Sequence, residues 1–201
     1  MYTTQERVEA FLNRELTQNE VSLLDEIIES VSDTINQYCN RSWFPVDADD
    51  EEDDYTEEAR LFDGTGSKTL FIDDFISISQ IKINDRLGGE LGTWSNADNW
   101  ILGPNNKNPK TSIYLKTGRF NESVGNIEIT GVWGAGDPPK GVVMACTQLV
   151  GKFLQKSNNG TSQFKKESIE GYSYELMSGA EIDADTERIM STLGVYRRIL
   201  L

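Results

Sequence analysis

The amino-acid sequence predicts an α+β fold in which helices at both chain ends flank a small, mostly antiparallel β-sheet. Near both ends, apolar residues recur three and four positions apart, which is the spacing of one helix face. Between residues 59 and 133, apolar and polar residues alternate, as they do in a half-buried strand. Hydrophobic residues make up only 37% of the 201-residue chain, so we expect a lean core.

Two helices are predicted at the N-terminus. Thr3 and Glu6 have the spacing of a capping box that would start the first helix. Thr17 and Glu20 form a second box, and Asn40 is a plausible end of the longer helix that follows. The apolar positions of this longer helix form one stripe, which favours an intramolecular core over an oligomer seam: Val21, Leu24, Ile28, Val31, Ile35 and Tyr38.

A strongly acidic segment follows, in which nine of the twelve residues 47–58 are Asp or Glu. So dense a group of carboxylates cannot be buried together, and the segment is predicted to be an exposed loop. It would be simply solvated, dock against a basic surface of a partner, or line a DNA path, where its charge acts over about 8 Å. The nine residues are Asp47, Asp49, Asp50, Glu51, Glu52, Asp53, Asp54, Glu57 and Glu58.

The middle of the chain is predicted to form strands. Residues 60–63 and 69–72 are expected to pair as a hairpin through a turn at 64–66. Residues 75–83, 113–115 and 127–133 give further strands, with a long excursion over 90–110 that Trp94 and Trp100 would anchor.

After residue 133 the chain is predicted to return to helices. Pro138 and Pro139 precede a helix whose apolar face runs from Val142 to Leu154. Residues 169–176 have strand character. The last helix is expected from about residue 185 to the end, with one apolar side: Ile189, Met190, Leu193, Tyr196, Ile199 and Leu200.

Several kinds of chemistry are excluded or disfavoured. The chain has no histidine, which removes Ser-His-Asp and Cys-His nucleophiles and most zinc sites. Cys39 and Cys146 lie in apolar patterns and are expected to be buried, reduced thiols. Residues 64–69 look like a phosphate loop but lack Gly before Lys68 and precede a strand. Asp73 and Asp74 should point to opposite faces of a strand, which argues against their acting together as general acid and base. No other group of residues makes a credible active site, and we expect no catalytic residues, cofactor or metal.

The net charge limits the classes of partner that the chain can bind. At −14, with a pI near 4.4, the chain should repel nucleic acid and is not expected to read DNA sequence. An acidic protein could still let DNA pass without sticking to it. No signal pattern and no run of 18 apolar residues is present, so we expect no membrane partner and synthesis in a cytoplasm.

The order of these elements resembles the head–tail connector proteins (adaptor or head-completion proteins) of tailed bacteriophages. The longer N-terminal helix ends in a similar signature, Phe62-Asp63-Gly64 resembles the family's aromatic-Asp-Gly turn, and residues 127–154 resemble its strand, aromatic-Gly-x-Gly, Pro and helix. The resemblance covers roughly residues 3–175, and residues 170–174 resemble the short strand that follows this helix in the family. The acidic run, the 90–110 excursion and Asp73-Asp74 depart from the family pattern. The signature reads Tyr38-Cys39-Asn40-Arg41-Ser42-Trp43-Phe44.

The resemblance implies a structural, non-enzymatic subunit of the virion neck, made in the host cytoplasm. It implies a ring of about twelve copies that joins the portal protein to a stopper or tail-completion protein. The ring would enclose a channel through which double-stranded DNA passes without specific binding. We expect a connector core over residues 1–157, comprising the N-terminal helices, acidic loop, β region and third helix, and a C-terminal strand and docking helix over 158–201.

Two surfaces are candidates for assembly. The acidic loop defined above is expected to face the channel or the downstream partner. The chain end is expected to dock on the portal, through Tyr196, Arg197, Arg198, Ile199, Leu200 and Leu201. The same end could instead close its own core, with its two arginines complementing the helix dipole.

Two other functions stay open at this point. The chain could be another neck or tail-completion protein one layer lower, which order of addition to portal-bearing capsids would reveal. It could also be an acidic DNA-mimic inhibitor that captures a basic enzyme, in which case it should form a small oligomer without affinity for portals.

Overall fold

The computed structural model describes residues 1–45, 56–84, 90–94, 97–159 and 184–198. The chain divides into two compact units. The helical unit comprises Met1–Asp50 and Asp137–Leu201, and the sheet unit comprises Glu51–Gly136. Helices lie at both chain ends with an antiparallel sheet between them in sequence, which confirms the predicted α+β class.

The helical unit begins with helix α1, Gln5–Leu12. The predicted Thr3–Glu6 capping box is wrong, because Thr4 is the N-cap and makes no side-chain cap bond. The buried Thr3 hydroxyl instead lies 2.7 Å from the Thr147 hydroxyl, and this long-range hydrogen bond takes the side chain away from the helix start.

Helix α2, Gln18–Cys39, begins and ends as its sequence predicts. The Thr17 hydroxyl accepts the Glu20 N–H at 3.3 Å, and the Glu20 carboxylate accepts the Thr17 N–H at 2.8 Å, so the capping box is confirmed. Asn40 ends the helix in the left-handed conformation, at φ 49°. The predicted stripe faces the unit's core: Leu24, Ile28, Val31 and Ile35 are buried.

The described part of the helical unit also contains helices α3, Lys140–Asn159, and α4, Ala184–Thr192, the latter followed by a 3₁₀ helix at Leu193–Tyr196. Ile189, Met190 and Leu193 are buried as predicted. The predicted continuation of an α-helix to the chain end is wrong over the described residues. Gly194, a poor helix former, lies in the 3₁₀ turn, and the backbone is extended at Arg197. None of the helices in the described part of the chain has the length and apolar character of a membrane span.

The described residues of the sheet unit form six strands: β1 Glu58–Gly64, β2 Thr69–Asn84, β3 Glu90–Trp94, β4 Trp100–Gly103, β5 Lys110–Leu115 and β6 Ser123–Trp133. Their order is β1-β6-β2-β5-β4, and β3 also pairs with β2. Every pairing is antiparallel.

The predicted hairpin between residues 60–63 and 69–72 is wrong. β1 pairs with β6, where Leu61 lies opposite Glu128, while the start of β2 pairs with β5. The connecting turn does not close onto itself: the Gly66 N–H donates to the Phe120 carbonyl at 2.7 Å, and the Phe120 N–H donates to the Ser67 carbonyl at 2.8 Å. These bonds to a distant segment separate the two strands.

Strand β2 is continuous over 16 residues, where two strands were predicted. Leu70 and Ile72 are buried before the irregularity at Asp73–Asp74, and Phe75, Ile81 and Ile83 are buried after it. The irregularity therefore shifts the alternation by one residue, so both halves of the strand face one core. The core cluster contains Leu70, Ile72, Phe75, Ile81, Ile83, Trp100, Ile113, Leu115, Phe120, Ile127, Ile129 and Trp133.

The predicted excursion over residues 90–110 contains β3, a short 3₁₀ helix at Ala97–Asn99 and β4. Trp100 is only 3% exposed and anchors this region in the core, as predicted. The side chain of Trp94 and the predicted strand over 169–176 lie outside the described residues.

Candidate functional site

The predicted docking segment is anchored within the helical unit at Tyr196. Its ring meets Trp43 edge to face, with centroids 6.4 Å apart. The Tyr196 hydroxyl lies against Gly141, where a Cβ atom would clash with it. The glycine on α3 therefore makes the space that this tyrosine occupies.

The two arginines lie beside the C-terminal end of α2. The Arg198 N–H donates to the Cys39 carbonyl at 2.7 Å, which satisfies one of the carbonyls that a helix end leaves open. The Arg197 guanidinium carbon lies 5.9 Å from the centre of the Tyr38 ring. The Arg197 cation therefore lies where it complements the dipole of α2, and the Arg198 backbone N–H caps the same helix end. Ile199, Leu200 and Leu201 lie outside the described residues.

The signature after α2 is held by a residue that sequence reasoning missed, Tyr2. Its hydroxyl donates to Asn36 Oδ1 at 2.6 Å and accepts the Trp43 N–H at 2.9 Å. The Tyr2 and Trp43 rings also meet edge to face, with centroids 5.8 Å apart. Burial raises the pKa of Tyr2, so the phenol stays neutral and keeps its proton for donation.

A cleft of about 310 Å³ lies beside this aromatic pair, within the helical unit. Asp25, Glu29 and Asp33 recur every four residues along α2 and put three exposed carboxylates on its wall. This spacing is visible in the sequence, although it did not stand out there because the apolar stripe dominates the helix. The other lining residues are Met1, Tyr2, Ser32, Asn36 and Trp43.

Of the predicted acidic loop, Glu57 and Glu58 are described. The Glu57 carboxylate accepts a hydrogen bond from the Ser79 hydroxyl at 2.7 Å, and the Glu58 carboxylate pairs with Arg60 at 2.9 Å. The Glu58 carbonyl accepts the indole N–H of Trp133 at 2.8 Å, so the loop joins the sheet at a fixed point. The remaining residues lie outside the described ones: Asp47, Asp49, Asp50, Glu51, Glu52, Asp53 and Asp54.

The features that suggested chemistry have structural roles. Cys39 and Cys146 are buried free thiols, and burial raises the pKa of each to about 11, which suppresses the nucleophilic thiolate. Asp73 is exposed and Asp74 is buried, so the two carboxylates point apart as predicted. Residues 64–69 connect two strands, which is not the setting of a phosphate loop.

The acidic and thiol side chains of the described residues are not grouped as metal ligands. Those residues contain no group of three or more His, Cys, Asp or Glu side chains that could hold a metal ion. The described residues instead present three surface features: the segment anchored at Tyr196, the acidic cleft beside α2, and the exposed face of the sheet unit.

No protein-family model and no curated protein sequence matches this chain. The solved structures that are similar to it include the following two. One is a chain of the virion of a native gene transfer agent particle, with a TM-score of 0.50 and 12% identity over 92% of this chain and 81% of that one. The other is a chain of the neck of an empty particle of this kind computed with C6 symmetry, with a TM-score of 0.48 and 13% identity over 76% and 78%. At these identities the likeness concerns the fold alone.

Proposed function

We propose that this chain is a non-catalytic structural subunit of the virion neck in a tailed phage or a related particle. The agreement of two independent findings carries the proposal. The motif order resembles that of head–tail connectors, and the fold is similar to a virion component of a gene transfer agent particle over 92% of this chain. The first finding uses local residues and the second uses backbone geometry.

The structured motifs support this proposal. Strand β6 runs into Gly134 and Gly136, then Pro138, then α3, in the order that the connector resemblance implies. The signature after α2 is also well packed, because Trp43 is 7% exposed and lies between Tyr2 and Tyr196. The residues that carry the resemblance therefore form a joined structural element.

In the finer form of the proposal, about twelve copies form a ring between the portal protein and a stopper or tail-completion protein. Double-stranded DNA passes through the ring without specific binding. The net charge of −14 supports this, since an acidic wall repels phosphate at short range. The acidic loop is assigned to the channel side or to the downstream partner.

The chain end is assigned to the portal in this proposal. Tyr196 and Arg198 fix the base of the segment on the helical unit, while Arg197 stays exposed at its start. In the sequence, the apolar residues 199–201 follow directly after the two arginines. A segment of this kind can dock into an apolar groove with little loss of conformational freedom.

The proposal is tested with particles produced in the absence of this chain. We expect DNA-filled heads that lack tails, and we expect a tagged copy of the chain to restore tails and to co-purify with the particles. Complete tailed particles without the chain would contradict the proposal. Order of addition to portal-bearing heads distinguishes this position from one layer lower.

The portal contact is tested by removing residues 199–201 and, separately, by Arg197→Glu. Removing all of residues 196–201 would also remove Tyr196 and Arg198, which stabilise the helical unit, so it would confuse folding with docking. We expect both variants to fold normally and to bind portal-bearing heads at least about tenfold more weakly. Normal joining by both variants would overturn this assignment.

A further inference from the structure

Large apolar side chains are exposed at both ends of the sheet. Leu61 on β1 is 65% exposed, and Val124 at the start of β6 is 87% exposed. At the other end, Phe71, Ile101 and Tyr114 are 67%, 45% and 41% exposed. Exposed apolar side chains that gather in one place mark interaction surfaces more often than scattered ones do.

The strand register places the second group on one face. Ile101 lies opposite Tyr114, and Tyr114 lies opposite Thr69, two residues from Phe71. Lys110 has the same parity as Tyr114 along β5, and Lys116, exposed just beyond the strand, holds the next position of that parity. Lys110 is half-buried, lies opposite the buried Phe75 after the irregularity in β2, and donates from Nζ to the Pro104 carbonyl at 2.9 Å. We call Phe71, Ile101, Lys110, Tyr114 and Lys116 the β5 face.

The β5 face lies in a basic part of an acidic protein. Residues 99–121 contain four basic side chains, Lys107, Lys110, Lys116 and Arg119, and no Asp or Glu, although the whole chain has a charge of −14. Among the described residues, none of these four cations forms an ion pair. Lys107, Lys116 and Arg119 are exposed, so their charge is available to another molecule, whereas the Lys110 ammonium already donates one hydrogen bond to the Pro104 carbonyl.

The opposite edge of the sheet has the complementary character. On β1, Phe62 packs towards the core and Arg60 lies over Trp133, while the alternate positions face outward. Hydrogen bonds hold the outward acidic groups, since Glu57 accepts from Ser79 and Asp63 accepts the Gly125 N–H at 2.6 Å. We call Glu57, Ala59, Leu61 and Asp63 the β1 face.

The two faces match in spacing as well as in charge. The β5 strand reads Lys110-x-Ser112-x-Tyr114-x-Lys116, and the β1 strand reads Glu57-x-Ala59-x-Leu61-x-Asp63. Each pattern has a charge at both ends, a small residue second and a large apolar residue third. Both span about 20 Å at the rise of a strand, so the charges and apolar groups align together.

We propose that the β1 face of one copy packs against the β5 face of the next copy, and that this is the contact between neighbouring subunits. The inference rests on the proposed ring. The register puts both patches on the side of the sheet away from the core, three strands apart. A head-to-tail contact of the two patches, repeated from copy to copy, generates a ring, whereas pairing of two β5 faces would oppose lysine to lysine. A two-fold dimer that uses both patches at once is the competing assembly, and association that stops at a dimer in sedimentation velocity would contradict the ring. The sheets would pack about 10 Å apart, which is within the combined reach of lysine and glutamate side chains.

Duplex DNA is the competing occupant of the β5 face, because lysines also bind phosphate. Two observations favour a second copy. The lysines flank exposed apolar and aromatic side chains, which a phosphate backbone does not need. The complementary acidic and apolar pattern is present on the same chain.

Two charge-reversed variants test the contact: Lys110→Glu/Lys116→Glu and Glu57→Lys/Asp63→Lys. Each variant alone would bring like charges together, so we expect at least about tenfold weaker self-association in sedimentation velocity at about 0.1 M salt. An equimolar mixture should restore association, because every contact then joins opposite charges. Arg7→Glu/Lys140→Glu, two exposed positions of the helical unit, is the control with the same charge change as the first variant and should associate like the wild type.

Several results would overturn the proposal. These are normal association of either reversed variant, no recovery in the mixture, or a wild-type chain that stays monomeric up to about 1 mM. Normal association with lost retention of duplex DNA in the lysine variant would assign the face to nucleic acid instead. If a reversed variant fails to fold by circular dichroism, Tyr114→Ser replaces it and should also weaken association. A wild type that associates in this way but is absent from particles would contradict the proposed neck function alone.

Discussion

The helical unit and the sheet unit place their polar and apolar side chains differently. In the helical unit, buried polar side chains take part in specific bonds: Thr3 bonds to Thr147, 144 positions away, and the fully buried Glu20 bonds to the nearby Arg14. In the sheet unit, the core lies on one face, while the other face exposes Phe71 and Tyr114 near lysines. The comparison is therefore between buried polar contacts in the helical unit and exposed aromatic side chains on the sheet.

The largest predicted change in unfolding free energy comes from comparing two phenylalanines, one on the core face of the sheet and one on its exposed face. Phe120 is fully buried, and its backbone bonds to the β1–β2 turn, so Phe120→Ala should lower the free energy of unfolding by about 3–5 kcal/mol. Phe71→Ala, at an exposed position, should change it by less than about 0.5 kcal/mol. Urea unfolding measures both, and similar losses for the two variants would contradict the assignment of faces.

The next effect tests the polar contacts of the helical unit. Glu20 accepts two hydrogen bonds from Arg14, at 2.9 and 2.6 Å, and also closes the capping box. Glu20→Ala should lower the free energy of unfolding by about 2–3 kcal/mol. Glu26→Ala, at an exposed position on the same helix, is the control and should have little effect. If Glu20→Ala and Glu26→Ala lowered the free energy of unfolding equally, the buried Arg14–Glu20 pair would add no more stability than an exposed glutamate does.

The buried thiols of the helical unit predict a loss of stability at high pH. Burial raises the pKa of Cys39 and Cys146 from 9.0 to about 11, so the unfolded chain loses these protons first. The stabilisation is therefore complete below pH 9 and is lost as the pH rises through 11, at about 2 kcal/mol per thiol. Urea midpoints across this range should fall more steeply for the wild type than for Cys39→Ala/Cys146→Ala. If the urea midpoints of the two proteins fell equally with pH, the raised pKa values of the two thiols would be contradicted.

The smallest effect concerns the aromatic cluster at the end of α2. Tyr2→Phe keeps the ring but removes the hydroxyl that bonds to Asn36 and Trp43. We expect a loss of about 1 kcal/mol in the free energy of unfolding. Tyr114→Phe, whose ring is 41% exposed, is the matched control and should leave stability unchanged. A larger loss of stability for Tyr114→Phe than for Tyr2→Phe would contradict the structural role assigned to the Tyr2 hydroxyl.

The parts of the fold that depend on local sequence were predictable. The Thr17–Glu20 box, the Asn40 end and the apolar stripe of α2 each depend on residues within one or two turns. The start of α1 was not predictable, because Thr3 bonds to a residue 144 positions away. The partner of β1 was missed for a similar reason: alternation identifies a strand, but the bonds from Gly66 and Ser67 to Phe120 decide its neighbour.

The candidate site was only partly predictable. The basic and apolar chain end was visible in the sequence, whereas its anchoring on the end of α2 and on Trp43 required the structure. The charges of the β1 and β5 faces are also in the sequence. Their grouping with Phe71 and Ile101 depends on strand register, which a single sequence does not specify.

Cryo-electron microscopy of the purified chain with portal protein tests the central claim most directly. We predict a closed ring of this chain against the portal, with neighbouring copies joined from β1 face to β5 face around a central channel. Portal particles without added density, or a chain bound as an isolated monomer away from the portal opening, would contradict the account.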